Sequence, residues 1–124
     1  MSASRQGPIL IVDDDRGLLS GLEEAFTEAG YDTLAAGTFH RARQALETAH
    51  LRALITDVRL GDFNGIQLAL LAKELHPGIR LIVVSGYDDS VIRREVEREG
   101  AVFVVKPVSS SDLIEMLENE PVGR

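Results

Sequence analysis

The sequence contains no cysteine, and aromatic residues make up only 5% of its 124 residues. Without cysteine it has no disulfides, no thiolate metal sites and no cysteine nucleophile, and this composition fits a reducing compartment. The apolar stretch near the N-terminus, Ile9 to Val12, is far too short for a signal peptide or a membrane span. We therefore expect a soluble, cytoplasmic chain without membrane association.

Basic residues are outnumbered by acidic ones, 13 to 20, which gives a formal net charge of −7. Nucleic-acid binding needs a positive footprint, and the longest basic run is Arg93-Arg94, so direct binding to DNA or RNA is disfavoured. Apolar residues form 44% of the chain, as in ordinary globular proteins. We predict one domain at residues 8–118, a lead-in at 1–7, and a tail or the start of a linker at 119–124.

Short apolar runs rich in β-branched residues alternate with segments of helical period, which is the pattern of β-α units around a parallel sheet. Runs such as "LIVV" and "AVFVV" are apolar throughout, as expected when helices cover both faces of the sheet. The predicted strands are Ile9 to Val12, Tyr31 to Ala36, Ala53 to Thr56, Arg80 to Val84 and Ala101 to Val105. The predicted helices lie at about residues 15–29, 38–49, 64–76, 88–99 and 109–119.

Glycines mark several limits of these elements. Gly30 and Gly100 each follow a predicted helix and precede a strand, so both can adopt the left-handed conformation that ends a helix. Asn64-Gly65 is a common hairpin turn, but the helical character of "IQLALLAKEL" after it argues against a turn there.

Polar residues stand where four of the predicted strands end. Asp13 and Asp14 follow the first strand, Asp57 the third, Ser85 the fourth and Lys106 the fifth. Ligands of open α/β folds bind beyond the carboxyl ends of the strands, so these side chains should share one edge of the sheet. Each alone has an ordinary role as a turn residue, a helix cap or a surface lysine. Their joint occurrence is not explained by those roles.

This set of residue types suits phosphoryl chemistry. Neighbouring carboxylates repel one another unless a divalent cation neutralises them, and Mg²⁺ binds one or two carboxylates, waters and phosphate oxygens. An aspartate can attack phosphorus to give an aspartyl phosphate, while the metal and a lysine offset charge on the transferring group. The hydroxyl of Ser85 can then hydrogen-bond a phosphoryl oxygen.

In four stretches the sequence resembles the receiver domains of two-component response regulators. The stretches are "ILIVDDD", "ALITDVRLGDFNG", "LIVVSGYDD" and "GAVFVVKP", in the family's order and with similar spacing, and the resemblance covers about residues 8–118. It implies a flavodoxin-like α/β fold: a single three-layer domain with a five-stranded parallel sheet of order 2-1-3-4-5 and helices on both faces.

The resemblance also implies roles for individual residues. Asp57 would accept a phosphoryl group from a histidine of a partner kinase. Asp13 and Asp14 would hold Mg²⁺ or Mn²⁺, Asp14 the more directly, and Asp57 with the backbone carbonyl of Arg59 would complete the protein ligands. Lys106 would contact the phosphoryl group and pair with the acidic residues.

Three further residues would form the switch and its support. The peptide bond between Lys106 and Pro107 is expected to be cis. Ser85 would move toward the phosphoryl group, and Phe103 would turn inward as the aromatic switch on the output face. The surface of the fourth helix, fifth strand and fifth helix would then change shape.

The partners implied are a sensor histidine kinase or a histidine phosphotransfer protein, and a downstream effector or output domain that docks on this changed surface. A phosphorylation-dependent homodimer is a further expectation. The chain would not be a conventional enzyme, although it would catalyse its own phosphorylation from a phosphodonor and its own dephosphorylation. A stand-alone receiver and a fragment of a longer regulator or hybrid kinase are both compatible with the sequence.

The sequence departs from the family's pattern in two places. Gly61 stands where many members have a proline, which predicts a looser loop after Asp57. Arg59 and Tyr87 occupy variable positions expected to control water access to the acyl phosphate, and because both are bulky we predict slow hydrolysis.

Two alternatives stay open at this point. A Mg²⁺-dependent aspartate-nucleophile phosphatase also places acids at a strand end, but it usually has an Asp-x-Asp motif and a cap domain, for which this chain has no room. A binding module with a receiver fold that is not phosphorylated need not keep all five polar residues. The histidines at positions 40, 50 and 76 are distant in sequence from the strand ends, and we assign them no chemistry.

Overall fold

Five short apolar segments pair as one parallel sheet at the centre of the molecule. The structure is a computed structural model and describes residues 7–119. The sheet order is β2-β1-β3-β6-β7, and every neighbouring pair is parallel, which confirms the predicted order 2-1-3-4-5. A two-stranded antiparallel hairpin is formed by β4 and β5. The strands are β1 (Ile9–Val12), β2 (Thr33–Ala36), β3 (Ala53–Asp57), β4 (Arg59–Leu60), β5 (Phe63–Asn64), β6 (Arg80–Ser85) and β7 (Val102–Val105).

Helices cover both faces of the sheet, as predicted. Helices α1 and α5 pack on one face, and α2, α3 and α4 pack on the other. Each helix begins and ends within two residues of its predicted limits. The helices are α1 (Arg16–Glu28), α2 (Phe39–Thr48), α3 (Gly65–Leu75), α4 (Ser90–Arg98) and α5 (Ser110–Glu118).

The core has two halves because successive side chains of a strand point to opposite faces. In β1, Ile9 and Ile11 pack against α1 and α5, whereas Leu10 and Val12 pack toward α2 and α3. All four are at most 2% exposed. Burial of each such side chain stabilises the fold by roughly 1.5–3 kcal/mol. The sheet therefore holds the residues at its strand ends in stable positions.

Local chemistry sets where the helices start and stop. Every helix begins after a polar N-cap whose side chain accepts a backbone N–H, which satisfies donors that the first turn leaves unpaired. Gly30 and Gly100 end their helices with φ of 97° and 86°, as the sequence predicts. The N-caps are Asp15, Thr38, Asn64, Asp89 and Ser109.

Two local features differ from the prediction. Tyr31 is outside β2, because its N–H donates to the carbonyl of Phe26 at the end of α1 and its ring is buried beside the Phe26 ring. The β4–β5 hairpin was not predicted, and its turn is Gly61-Asp62. Asn64-Gly65 is not a hairpin turn, as expected, because Asn64 caps α3.

The described residues include Gly7 and Asn119 but not the remainder of the predicted lead-in and tail, so those two predictions lie outside the structure. Within residues 7–119, no helix has the length and apolarity needed to cross a bilayer.

Candidate phosphoacceptor and metal site

The predicted polar residues meet at the carboxyl edge of the sheet. Asp13 and Asp14 directly follow β1, Asp57 and Ser85 are the last residues of β3 and β6, and Lys106 directly follows β7. Parallel pairing holds these strand ends side by side, and the Lys106 N–H donates to the Ser85 carbonyl at 2.7 Å. The fold therefore brings together five side chains that are up to 93 positions apart in the chain.

Three carboxylates form the acidic part of the site. One oxygen from each of Asp13, Asp14 and Asp57 lies within 4.8 Å of the others. Asp13 is buried, and its Oδ1 accepts the Asp15 N–H at 2.9 Å, which fixes its orientation. Asp57 is mostly buried, with a side chain 12% exposed, whereas Asp14 is exposed.

Lys106 supplies the positive charge. Its Nζ lies 3.4 Å from Asp57 Oδ2 and 3.5 Å from Asp13 Oδ2, so one ammonium bridges two carboxylates. Its peptide bond to Pro107 is cis. With three carboxylates and one ammonium, the cluster has a formal charge of −2.

Burial and neighbouring negative charges change the pKa of Asp57. Burial raises the pKa of its carboxyl, and the charges of Asp13 and Asp14 add to the rise, which the attraction of Lys106 only partly offsets. For Lys106, burial acts to lower the pKa, but the charges of Asp57 and Asp13 outweigh it and the pKa is raised. The lysine therefore stays protonated at neutral pH. Its single positive charge neutralises only part of the negative charge of the three carboxylates.

The donor set fits a hard divalent cation. Carboxylate oxygens at this spacing are the ligands that Mg²⁺ and Mn²⁺ prefer. Burial is the main cause of the raised Asp57 pKa, and a cation would offset the further contribution from the charges of Asp13 and Asp14. All three ligands are carboxylates, so this group includes no thiolate or imidazole. Within residues 7–119 it is the only cluster of side chains spaced to hold a metal ion.

Ser85 lies beside the cluster, and its hydroxyl hydrogen-bonds to the backbone of the loop that follows it. Its hydroxyl, on a residue only 5% exposed, donates to the Tyr87 carbonyl at 2.9 Å and accepts the Tyr87 N–H at 3.1 Å. A cavity of about 260 Å³ lies beside Asp57 and is lined by Asp57, Arg59, Ser85, Tyr87, Ile92 and Lys106, among others. The Arg59 guanidinium lies 5.9 Å from the centroid of the Tyr87 ring at the mouth of this cavity.

Phe103 lies on β7, three residues before Lys106. Its ring is already buried, at 6% exposure, and the Arg93 guanidinium of α4 lies 4.8 Å from its centroid. Arg93 also forms an ion pair with Asp88, with 3.0 Å between the two side chains. Asp88 belongs to the loop that follows Ser85. In the sequence Arg93 is visible only as part of the short basic run Arg93-Arg94, which gives no signal of the ring that it covers.

The structure gives two glycines contacts with the site that the sequence did not predict. The Gly61 N–H donates to Asp14 Oδ2 at 3.3 Å, and Gly65 packs against the backbone carbonyl of Asp57. The Asn64-Gly65 pair was a visible signal, but it was weighed only as a turn. His50 and His76 lie away from the carboxyl ends of the strands, and His76 Nε2 is 2.8 Å from the Leu46 carbonyl. His40 is exposed on α2.

A comparison with protein families decides the membership of the chain. The model of the response regulator receiver domain matches residues 9–118, nearly the whole described structure. The chain belongs to this family. It is a receiver domain of two-component response regulators, with the flavodoxin-like arrangement of strands and helices described above.

Curated relatives and solved structures agree with this membership. The photosynthetic apparatus regulatory protein RegA of Rhodobacter capsulatus is 27% identical over 110 residues, which cover 88% of this chain and 60% of RegA. The DNA-binding transcriptional regulator NtrC of Azospirillum brasilense is 27% identical over 89% of this chain and 23% of NtrC. The receiver chain thus spans 60% or less of the length of these two relatives.

Two solved receiver structures have the same fold. A CheY-like receiver domain protein from Methanospirillum hungatei JF-1 is 30% identical with a TM-score of 0.85, and 91% of each chain is covered. The beryllofluoride-activated NtrC4 receiver domain dimer is 25% identical with a TM-score of 0.81, covering 90% of this chain and 93% of that one.

Proposed function

We propose that this receiver domain is a phosphorylation switch in which Asp57 accepts a phosphoryl group from a histidine of a partner kinase or a histidine phosphotransfer protein. One observation carries the proposal. A nearly buried carboxylate at a strand end is flanked by two further carboxylates and an ammonium group, and it faces a cavity into which a phosphoryl group can fit.

The proposed transfer is a displacement at phosphorus. A carboxylate oxygen of Asp57 forms a new P–O bond as the P–N bond to the donor imidazole breaks, and the imidazole leaves with the bonding pair and takes up a proton. Lys106, already 3.4 Å from Asp57 Oδ2, is placed to offset charge on the transferring group. Mg²⁺ or Mn²⁺ held by Asp13, Asp14, Asp57 and the Arg59 carbonyl would neutralise charge on the phosphoryl oxygens.

The same geometry supports a switch at Ser85. To reach a phosphoryl oxygen on Asp57, its hydroxyl must give up the hydrogen bond to the Tyr87 carbonyl, and the loop between β6 and α4 then loses this contact. Asp88 of this loop pairs with Arg93, which covers Phe103, so a loop movement would alter the surface of α4, β7 and α5. Phosphorylation would thus shift the population between two arrangements of that surface.

This α4–β7–α5 surface is the proposed docking site for an effector, an output domain or a second copy of the chain. The activated NtrC4 receiver domain is a dimer, which makes a phosphorylation-dependent homodimer a reasonable form of output. Curated relatives such as NtrC bind DNA, but they extend well beyond the part that this chain matches. With a net charge of −7, we propose no direct contact of this chain with nucleic acid.

Intact mass spectrometry tests the proposal. Wild type, Asp57→Asn and Asp62→Asn are incubated with Mg²⁺ and acetyl phosphate, Asp62 being an exposed acid at the tip of the β4–β5 hairpin. We expect one added phosphoryl group on wild type and Asp62→Asn and none on Asp57→Asn. If the wild type gains none although metal binding is measured separately, the phosphorylation-independent binding module becomes the better description.

A further inference from the structure

The tip of the β4–β5 hairpin contacts the acidic cluster through one backbone hydrogen bond. The Gly61 N–H donates to Asp14 Oδ2 at 3.3 Å, between residues 47 positions apart in the sequence. Asp13 and Asp57 each have Lys106 as a cationic partner, whereas Asp14 has no ion pair within residues 7–119. The Gly61 N–H is therefore the contact that holds the most exposed of the three carboxylates.

The hairpin that presents this N–H is itself well anchored. Leu60 is buried at 3% exposure, and the Phe63 ring stacks on the Phe39 ring of α2 with centroids 4.6 Å apart and planes 17° from parallel. At the base of the hairpin, the Gly65 N–H donates to the Val58 carbonyl at 2.6 Å. The donor is thus fixed to the domain on both sides and does not depend on a loose loop.

Gly61 suits this position because of its backbone conformation. Its φ is +61°, in the left-handed region that most side chains avoid, and a β-carbon added there would meet no atom within 4 Å. The requirement is therefore conformational and not steric. Asparagine tolerates the same region and keeps the N–H, whereas proline requires a φ near −65° and has no N–H to donate.

We propose that Gly61 is a positioning residue of the metal site, whose N–H holds one oxygen of Asp14 and leaves its other oxygen directed for a divalent cation. The inference rests on the proposed Mg²⁺ site. Three like charges repel, so in this chain, which has Gly61 where many family members have a proline, the bond holds the Asp14 side chain near Asp13 and Asp57. The bond keeps the third carboxylate in place before the cation arrives, which lowers the free-energy cost of assembling the site.

Metal titration tests the inference directly. Dissociation constants of Mn²⁺ and Mg²⁺ are measured by calorimetry for wild type, Gly61→Asn and Gly61→Pro, without phosphodonor. We expect Gly61→Asn to stay within about twofold of wild type and Gly61→Pro to bind roughly three- to tenfold more weakly, the effect of losing one partly exposed hydrogen bond to a charged group. Equal affinities for wild type and Gly61→Pro would overturn the inference.

A double-mutant cycle separates positioning from general damage to the hairpin. In an Asp14→Ala background, the Gly61→Pro change should cost little further metal affinity, because the carboxylate that it positions is gone. The same loss in both backgrounds would show that Gly61 acts only through hairpin structure, and the inference would be wrong.

A second measurement does not depend on the proline variant folding well. The ¹⁵N–¹H resonance of Gly61 should shift, and its amide should exchange faster, in Asp14→Ala than in wild type. An unchanged Gly61 amide would contradict the hydrogen bond itself. Wild type that binds neither cation would overturn both this inference and the proposed metal site, whereas normal binding with no effect of Gly61→Pro would overturn this inference alone.

Discussion

Asp57 is held in a charged environment that works against its own ionised form. Burial disfavours the carboxylate, Asp13 and Asp14 repel it, and Lys106 compensates only in part, so its pKa is raised. The same attraction between Lys106 and Asp57 raises the pKa of the lysine, and it is already counted among the effects on Asp57. The raised pKa of Lys106 therefore does not reverse the rise in the pKa of Asp57. Without a cation, the acceptor carboxylate therefore lowers the stability of the fold at neutral pH.

We predict that Asp57→Asn increases the free energy of unfolding in metal-free buffer at pH 7. A carboxyl whose folded pKa lies above its unfolded value of 3.8 costs nothing below that value, where both states are protonated. The cost grows as the pH rises through the folded pKa and is complete above it. Urea unfolding with EDTA should show the gain at pH 7 and a much smaller gain near about pH 3.5.

The matched control for that prediction is Asp62→Asn, which removes an exposed acid from the neighbouring hairpin and should change stability little at either pH. Added Mg²⁺ should reduce or reverse the advantage of Asp57→Asn, because the proposed metal site is complete only in the folded wild type. An Asp57→Asn protein that is less stable than wild type at pH 7 without metal would contradict this account.

Gly65 shows a different constraint at the scale of one residue. A β-carbon at this position would collide with the Asp57 carbonyl and lie 2.9 Å from Thr56 Oγ1, both parts of the strand that carries the acceptor. We predict that Gly65→Ala destabilises the fold by about 1–3 kcal/mol or more, as overpacking of a rigid site does. Denaturant unfolding measures this, and the mass assay should show slower phosphorylation because Asp57 is displaced.

Gly21 provides the comparison. It lies inside α1 with nothing within 4 Å of an added β-carbon, so Gly21→Ala should stabilise the protein by about 0.5–1 kcal/mol through helix propensity. Two glycine-to-alanine changes at helical positions should therefore act in opposite directions. If Gly65→Ala is as well tolerated as Gly21→Ala, the close packing of α3 against β3 is not what the structure indicates.

At the scale of elements, the main strands and helices could be predicted because each has a hydrophobic period or an apolar run. The two-residue strands β4 and β5 are too short to show any period, so the hairpin was missed. Its turn at Gly61 is tied to Asp14, whereas the missing proline predicted a looser loop. The direction of the Ser85 hydroxyl could not be predicted either, since it depends on a loop conformation and not on residue type.

The hairpin and the loop after β6 together border the acceptor. Arg59 from β4 and Tyr87 from the loop face each other across the mouth of the cavity beside Asp57. This pair can restrict the approach of water to an acyl phosphate, since exclusion of water protects a reactive intermediate. The cation–π contact adds about 0.5–1 kcal/mol to holding the two side chains together.

We predict that Arg59→Ala combined with Tyr87→Ala speeds hydrolysis of the Asp57 phosphate on the order of tenfold, the change that about 1.4 kcal/mol in the activation barrier would produce. The rate is measured as loss of the phosphorylated mass after removal of the donor. Val91→Ala is the matched control, because it shortens an exposed side chain on α4 outside the Arg59–Tyr87 pair. It should leave the rate unchanged. An unchanged rate in the double variant would contradict the shielding role.

At the scale of the whole molecule, the sheet separates two ends with different chemistry. The carboxyl edge holds every residue of the candidate site, and the opposite edge holds His50 and His76, whose rings are 6.4 Å apart. The alternation of strands and helices predicted an α/β sandwich, but the strand order came from the family resemblance. Periodicity cannot give that order, because the same elements can be connected in several ways.

This separation predicts where a phosphorylation signal should appear. Ser85 must leave the Tyr87 carbonyl to reach the phosphoryl group, and the loop is linked through Asp88 and Arg93 to the Phe103 ring. In ¹⁵N–¹H spectra with Mg²⁺ and a phosphodonor, we expect shifts in the loop after β6 and across the α4–β7–α5 surface. The resonances of the amides near His50 should change little, because His50 lies at the opposite edge of the sheet.

Two variants make that prediction specific. Asp57→Asn should show none of the changes on addition of the donor, whereas Arg93→Met should keep the shifts at the acceptor edge but reduce those of Phe103, since the charged link between loop and ring is lost. Shifts confined to the acceptor edge in wild type would mean that the α4–β7–α5 surface does not respond to phosphorylation. Equal shifts at Phe103 in Arg93→Met would show that the signal reaches the output face by a route other than this arginine.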